Sequence, residues 1–337
     1  MSCDKHQFYD HINVLIKPTD GCNLRCKYCF HQDYGYDPRK LDLGTLRHFF
    51  DITFSHYNSV SIVWHGGEPT FVGAPYFQKC VELAVELADQ YGVSLQQAMQ
   101  TNGTLLNEHF IDIIKRYEIG VGISYDGPIN TYTRNSTDAF MKTHKLLRDN
   151  GIQYGVISVV SGANINLLDD LYAEMQGLDI SVQINPYINT SPSAPSDLIM
   201  SADSYIQKMK EFFFRWIEDA SCHISVDPFI RMIRDIHYGK SQICARSSCM
   251  RNWLCLNADG TLTPCDRDFP KEYCYGHVSD YDDIRSIYDT EAVSYTHLPA
   301  DALSMRCGIP RPNPCTWAAS RVFSPPRRVF RASASRR

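Results

Sequence analysis

Six apolar runs of strand character recur along the first 190 residues: INVLIKP (12–18), SVSIVW (59–64), SLQQAMQ (94–100), IGVGISY (119–125), QYGVISVV (153–160) and ISVQINPY (180–187). The segments between them place apolar residues at helical spacing, as in LGTLRHFFDITFSHY, APYFQKCVELAVELADQYG, NEHFIDIIKRY, DAFMKTHKLLRDNG and NINLLDDLYAEMQG. A further helical pattern, ADSYIQKMKEFFFRWIEDA, follows the last run. Strand and helix alternating at this rhythm predict a parallel sheet with helices outside and right-handed crossovers. Six repeats, rather than the eight of a closed barrel, predict an α/β fold built as a partial (β/α)6 barrel, open on one side. From about residue 223 the rhythm is lost and cysteines gather. Within that stretch LNADGTLTPC reads as a small hairpin around Asp-Gly. The expected organisation is a barrel over 1–222, a small Cys-rich module over 223–292 and a separate tail over 293–337.

Composition narrows the class. The chain has 337 residues, of which 44% are hydrophobic, enough for a sizeable core. No apolar run reaches the roughly 18 residues of a membrane helix. The start, MSCDKHQFYD, lacks the charged and apolar regions of a secretory signal, so the cytoplasm is the expected compartment. Residues 299–337 hold eight Arg against the single acid Asp301, a local balance of +7. Since the total is −5, the rest of the chain carries −12, which supports neither a nucleic-acid nor a membrane partner. Thirteen cysteines in a reducing compartment point to metal or cluster ligation rather than disulfides. Cys80 recurs with Phe77, Val81 and Ala84 at helical spacing and is expected in the core.

The chemistry-bearing residues fall after predicted strands. GCNLRCKYCF follows the first, HGGEP the second, TNGT the third and DGP the fourth. Strand C-terminal ends are where α/β sheets build their sites. Cys22, Cys26 and Cys29 are spaced C-x3-C-x2-C. Three thiolates leave one iron of a cubane cluster without a protein ligand, which in an enzyme is an open coordination position. A zinc site closed by His31 is the competing reading.

This spacing, with Tyr28 before the last cysteine, resembles the cluster loop of radical S-adenosylmethionine (SAM) enzymes, and GGEP resembles their SAM-contacting motif. The similarity runs over residues 10–190, with QTNGTLLN and ISYDGP where the peptide-modifying branch carries such segments. The resemblance implies that Cys22, Cys26 and Cys29 hold a [4Fe–4S] cluster, whose free iron chelates SAM, and that one-electron reduction releases a 5′-deoxyadenosyl radical. It implies that Gly66, Gly67, Glu68 and Pro69 shape the SAM site. The two glycines would admit backbone to the SAM amino group. Glu68 would accept from that ammonium or cap the next helix. Asn102 and Ser124 would contact the ribose or the methionyl carboxylate. Arg134 would grip the carboxylate through two hydrogen bonds or be an exposed loop residue.

The second cysteine group resembles the SPASM extension of peptide- and protein-modifying members, as in anaerobic sulfatase-maturating enzymes. Cys249, ten residues, Gly260, four residues and Cys265 follow its opening pattern, with Cys255 between and Cys274 a further candidate. These imply auxiliary [4Fe–4S] ligands, an incomplete set in this chain. Asp266 aligns with the family's proposed base; a turn residue in CDRD is the other reading. The implied partners are a protein or peptide substrate and a low-potential donor such as flavodoxin or ferredoxin. The other class of reading is a non-enzymatic iron–sulfur carrier or zinc module.

The extension's later pattern, C-x2-C-x5-C-x3-C, does not follow; only Cys307 and Cys315 remain. Residues 299–337 carry six Pro and no Lys and show no periodicity, a composition expected to be disordered. VSYTHL (293–298) resembles a translated transposon-end adapter used in sequencing libraries. The native frame is therefore expected to end near Ala292. Resequencing checks this: an intact frame restoring the missing cysteines supports it, and an unchanged tail defeats it.

Overall fold

The computed structural model describes residues 10–29, 38–189, 195–239, 253–264, 266 and 273–290. The expected tail, 293–337, lies outside them, as do Cys249 and Cys265.

All six expected strands form, and they lie side by side in chain order. They are β1 (His11–Ile16), β2 (Ser59–Trp64), β3 (Ser94–Thr101), β4 (Gly120–Ser124), β5 (Tyr154–Val160) and β6 (Val182–Pro186). Every neighbouring pair is parallel. The crossovers carry α1 (Leu43–Phe54), α2 (Ala74–Tyr91), α3 (Glu108–Arg116), the short α4 (Asn130–Thr133), α5 (Thr137–Asp149) and α6 (Leu168–Leu178). After β6 comes α7 (Ala202–Glu218). No helix among the described residues is long and apolar enough to cross a membrane.

The chain past 223 departs from expectation. The rhythm continues for one more unit, β7 (Val226–Asp227) beside β6, then α8 (Phe229–Tyr238). A two-residue strand is too short to register as a pattern. The chain then returns to the opposite edge: β8 (Trp253–Leu256) pairs in parallel with β1. The expected hairpin is present, with β9 (Thr261–Thr263) antiparallel to β8 and β10 (Gly276–His277) closing the order β10-β9-β8-β1-β2-β3-β4-β5-β6-β7. The division expected at residue 222 therefore falls inside one sheet.

Strand alternation gives the sheet two different faces. One face packs under the helices: Val14, Ile16, Ile62, Trp64, Met99, Val121, Ile123, Val156 and Ile184 are buried there with Phe50, Phe77 and Phe110. Each such side chain contributes about 1.5–3 kcal/mol when fully buried. Cys80 is fully buried on α2 with Phe77, Val81 and Ala84, as expected. The opposite face carries Ser61, Gln100, Ser124, Gln183 and Asn185 on β2, β3, β4 and β6. All but Ser124 are buried. Polar residues turned to an inner face suit a polar guest rather than a packed core.

Candidate active site

The cluster loop leaves β1 and is anchored by main-chain bonds at both ends. Leu41 N donates to Pro18 O (3.0 Å) and Asp20 N to Arg39 O (3.2 Å). The GGEP turn after β2 sits directly on its root. His65 N donates to Ile16 O (2.8 Å), Gly67 N to Thr19 O (3.1 Å) and Glu68 N to Gly21 O (2.8 Å).

That contact requires glycine at both positions. A Cβ on Gly67 would stand 2.3 Å from Gly21 O and 2.4 Å from Asp20 O, and one on Gly66 2.5 Å from Thr19 O. Gly66 also holds φ at +127°, outside the range of L-residues. The space spared by the missing side chains is filled by the chain leading into Cys22. Gly67→Ala is expected to push the two loops apart and cost about 1–3 kcal/mol, read as a lower midpoint in thermal unfolding. An unchanged midpoint contradicts this contact.

Glu68 is buried, and its oxygens accept from Thr70 N (3.1 Å), Thr70 Oγ1 (2.6 Å), Thr101 Oγ1 (2.5 Å) and Asn102 N (2.7 Å). Three of these donors meet at Oε1, and Asn102 N reaches Oε2. Of the two expected roles the geometry shows the cap, on the short helical turn Pro69–Val72, with Pro69 at its first position. It adds a tie to the loop after β3 through Thr101 Oγ1 and Asn102 N.

Asn102 stands one residue beyond β3, next in register to Ser124 at the end of β4. Its Nδ2 donates to Asn23 Oδ1 (3.0 Å) and lies 3.9 Å from Cys22 Sγ, while Oδ1 accepts from Thr104. Ser124 Oγ accepts from Gln100 Nε2 (2.9 Å). Gln100 Oε1 is buried with no hydrogen-bond partner among the described residues.

Arg134 is buried, which corrects the exposed-loop reading. Its Nε donates to Asp126 Oδ2 (3.1 Å) and Nη1 lies 3.7 Å from Cys26 Sγ. The guanidinium carbon is 5.1 Å from the centre of the Tyr28 ring. Asp126 was legible in the sequence only as a turn residue, yet it gathers four donors: Arg134 Nε, Tyr28 OH (2.7 Å), Thr133 Oγ1 (2.7 Å) and Val159 N (3.0 Å). An acidic residue directly after an apolar strand run was the available signal. Lys27 N donates to Thr133 O (2.9 Å), fastening the cluster loop to the same segment.

Cys22 and Cys26 therefore face nitrogen donors, with Leu24 N 3.4 Å from Cys22 Sγ as a further one. A neutral thiol is a weak acceptor; donors aimed at two sulfurs match thiolates. No group of three or more Cys, His, Asp or Glu among the described residues converges on a single-ion position. Zinc needs such convergence, whereas cubane ligands bind separate irons. His31, the fourth zinc ligand considered, lies outside the described residues. The donor set thus fits a cubane held by Cys22, Cys26 and Cys29.

Burial pushes the Cys22 and Cys26 thiols above their ordinary range, while the Leu24 amide and the Arg134 cation pull them back in part. Ligation must displace those protons, so iron uptake is expected to fall as pH drops from about 8 to about 6. Iron content at fixed free iron checks it; pH-independent loading contradicts it.

Across the sheet, Asp266 is buried beside β1 and β2. Lys17 Nζ donates to its main-chain oxygen (3.1 Å), and His65 Nδ1 lies 3.9 Å from Oδ2. Its Oδ1 has no hydrogen-bond partner among the described residues. Lys17 went unnoticed in the sequence, and His65 was seen only as the first letter of HGGEP. Cys255 on β8 is fully buried, and burial pushes its thiol up to about 12. Cys274 Sγ donates to Leu262 O (3.5 Å). The structure brings these two to the β8–β9 hairpin and gathers no complete auxiliary set among the described residues.

Comparison with known proteins agrees with this geometry. Residues 16–175 match the family model of the radical SAM superfamily. The cysteine-type anaerobic sulfatase-maturating enzyme of Clostridium perfringens is 24% identical over 303 residues, 83% of this chain and 80% of that enzyme. Among solved structures, native anSMEcpe with bound AdoMet and Kp18Cys peptide superposes with a TM-score of 0.77 at 22% identity, over 85% of this chain and 82% of that one. Streptococcus suis SuiB bound to S-adenosylmethionine gives 0.61 at 16% identity, over 90% and 72%. The chain therefore carries a radical SAM domain and stands close to the anaerobic sulfatase-maturating enzymes.

Proposed function

We propose that this chain is a radical SAM enzyme that oxidises or cross-links a side chain in a protein or peptide, in the manner of sulfatase maturases. The observation that carries the reading is the three-thiol loop pinned between the GGEP turn and the Asp126–Arg134 pair, with nitrogen donors on the sulfurs of Cys22 and Cys26. Bound together, the cluster and SAM supply a 5′-deoxyadenosyl radical by one-electron reductive cleavage.

The chain's own residues hold and aim. Cys22, Cys26 and Cys29 are the iron ligands. Gly66, Gly67 and Pro69 set the turn beside them. Asn102, Ser124 and Gln100 line the polar inner face, where they suit the ribose and methionyl groups. Arg134 gives Nε to Asp126 and directs Nη1 at Cys26 Sγ, and its guanidinium is suited to pair with the SAM carboxylate. Asp266, with one buried oxygen lacking a partner among the described residues, is suited to accept the proton released when a side chain is oxidised. Cys249, Cys255, Cys265 and Cys274 are the candidates for auxiliary-cluster ligation. A low-potential donor such as flavodoxin or ferredoxin would deliver the electron in the cytoplasm.

The test is anaerobic reconstitution with iron and sulfide, then addition of dithionite, SAM and a peptide bearing a sulfatase-type Cys or Ser. Formation of 5′-deoxyadenosine, with loss of hydrogen from the peptide in its mass spectrum, is the expected result. A carrier or zinc module makes no 5′-deoxyadenosine, and that outcome overturns the reading.

A further inference from the structure

We infer that Arg134 is a positioning residue that sets the electron affinity of the cluster: its buried guanidinium, held by Asp126 and donating to Cys26, raises the midpoint potential of the bound cubane. The inference rests on the cluster reading above, and goes beyond the carboxylate-binding role given to the same side chain.

The geometry leaves Arg134 little freedom. Nε is 3.1 Å from Asp126 Oδ2, and Asp126 is itself held by Tyr28 OH, Thr133 Oγ1 and Val159 N. The guanidinium lies over Tyr28, which is two residues from Cys26. The main chain at Arg134 is fixed by its N–H to Asn130 O (2.8 Å), and Thr133 O receives Lys27 N. Nη1 is thereby directed at Cys26 Sγ at 3.7 Å, out of bulk water. A buried cation is poorly screened by salt. A donor on a ligating sulfur stabilises the extra negative charge of the reduced cluster, so it raises the potential. The Asp126 carboxylate opposes this from behind Nε, where four donors already spread its charge.

The test is an EPR-monitored redox titration of reconstituted protein without SAM, so that loss of carboxylate binding plays no part. R134Q is expected to assemble a cubane with a more negative midpoint than the unmodified protein, and R134K, which keeps the charge but not the fork, to recover part of the difference. An assembled R134Q cluster with an unchanged or more positive midpoint overturns the inference while leaving the cluster reading intact. Failure of the unmodified protein to assemble any cubane overturns the reading itself. Should R134Q hold no cluster, pulsed EPR of protein labelled with 15N-arginine decides. The R25K background is used there, because Arg25 reaches the Cys22 and Leu24 carbonyls. Coupling of the reduced cluster to an arginine nitrogen supports the inference, and its absence overturns it.

Discussion

Replacing Cys26 by alanine is expected to reduce 5′-deoxyadenosine formation to the level of protein-free controls. The three thiols are not interchangeable with solvent. Cys26 is buried, it sits at the junction where Lys27 N is tied to Thr133 O, and its sulfur receives the Arg134 donor. Without it two protein ligands would remain for a cubane that, on the proposed assignment, has one open iron. A second open iron would leave nothing to distinguish the position for SAM from one open to water. Iron content after reconstitution should fall together with activity. Full iron content with wild-type cleavage of SAM in C26A contradicts the ligand assignment.

The largest stability effect is expected at Asp126. Asp126→Ala removes the common acceptor of four donors and strands the Arg134 cation in the interior. Breaking one partner of a buried pair costs about 3–5 kcal/mol, because the remaining charge is left uncompensated. In a domain of this size that lowers the unfolding midpoint by roughly 10 °C. The double variant D126A/R134A separates this mechanism from simple loss of contacts: with the stranded cation gone, it should be more stable than D126A alone. Thermal unfolding of the three variants checks it. Equal midpoints for D126A and the unmodified protein, or a double variant that is the least stable, contradict it.

The six parallel strands were legible because apolar runs and 3.6-residue periodicity record the helix-covered face directly, as in SVSIVW for β2. The three cysteines and GGEP were legible as motifs because their chemistry requires fixed spacing. What escaped was information carried by tertiary register. Asp126 looks like any turn residue after a strand, and only the meeting of Tyr28, Thr133, Arg134 and Val159 shows that it is a hub. Lys17 and His65 fall beside Asp266 through the pairing of β1 with β2 and β8, a neighbourhood no local window contains. The two-residue β7 and the return of β8 to β1 joined what sequence divided, because strands of two to four residues carry too few positions to show a period. Gly66 and Gly67 also admit the cluster loop's own backbone, a contact that the motif alone does not disclose.

The central claim is that Cys22, Cys26 and Cys29 leave one iron corner unligated by protein. EPR spectroscopy of the anaerobically reconstituted, dithionite-reduced chain, recorded before and after adding SAM, tests it most directly. A cubane signal whose g-values shift on addition is the predicted result; a spectrum identical in both states contradicts the account.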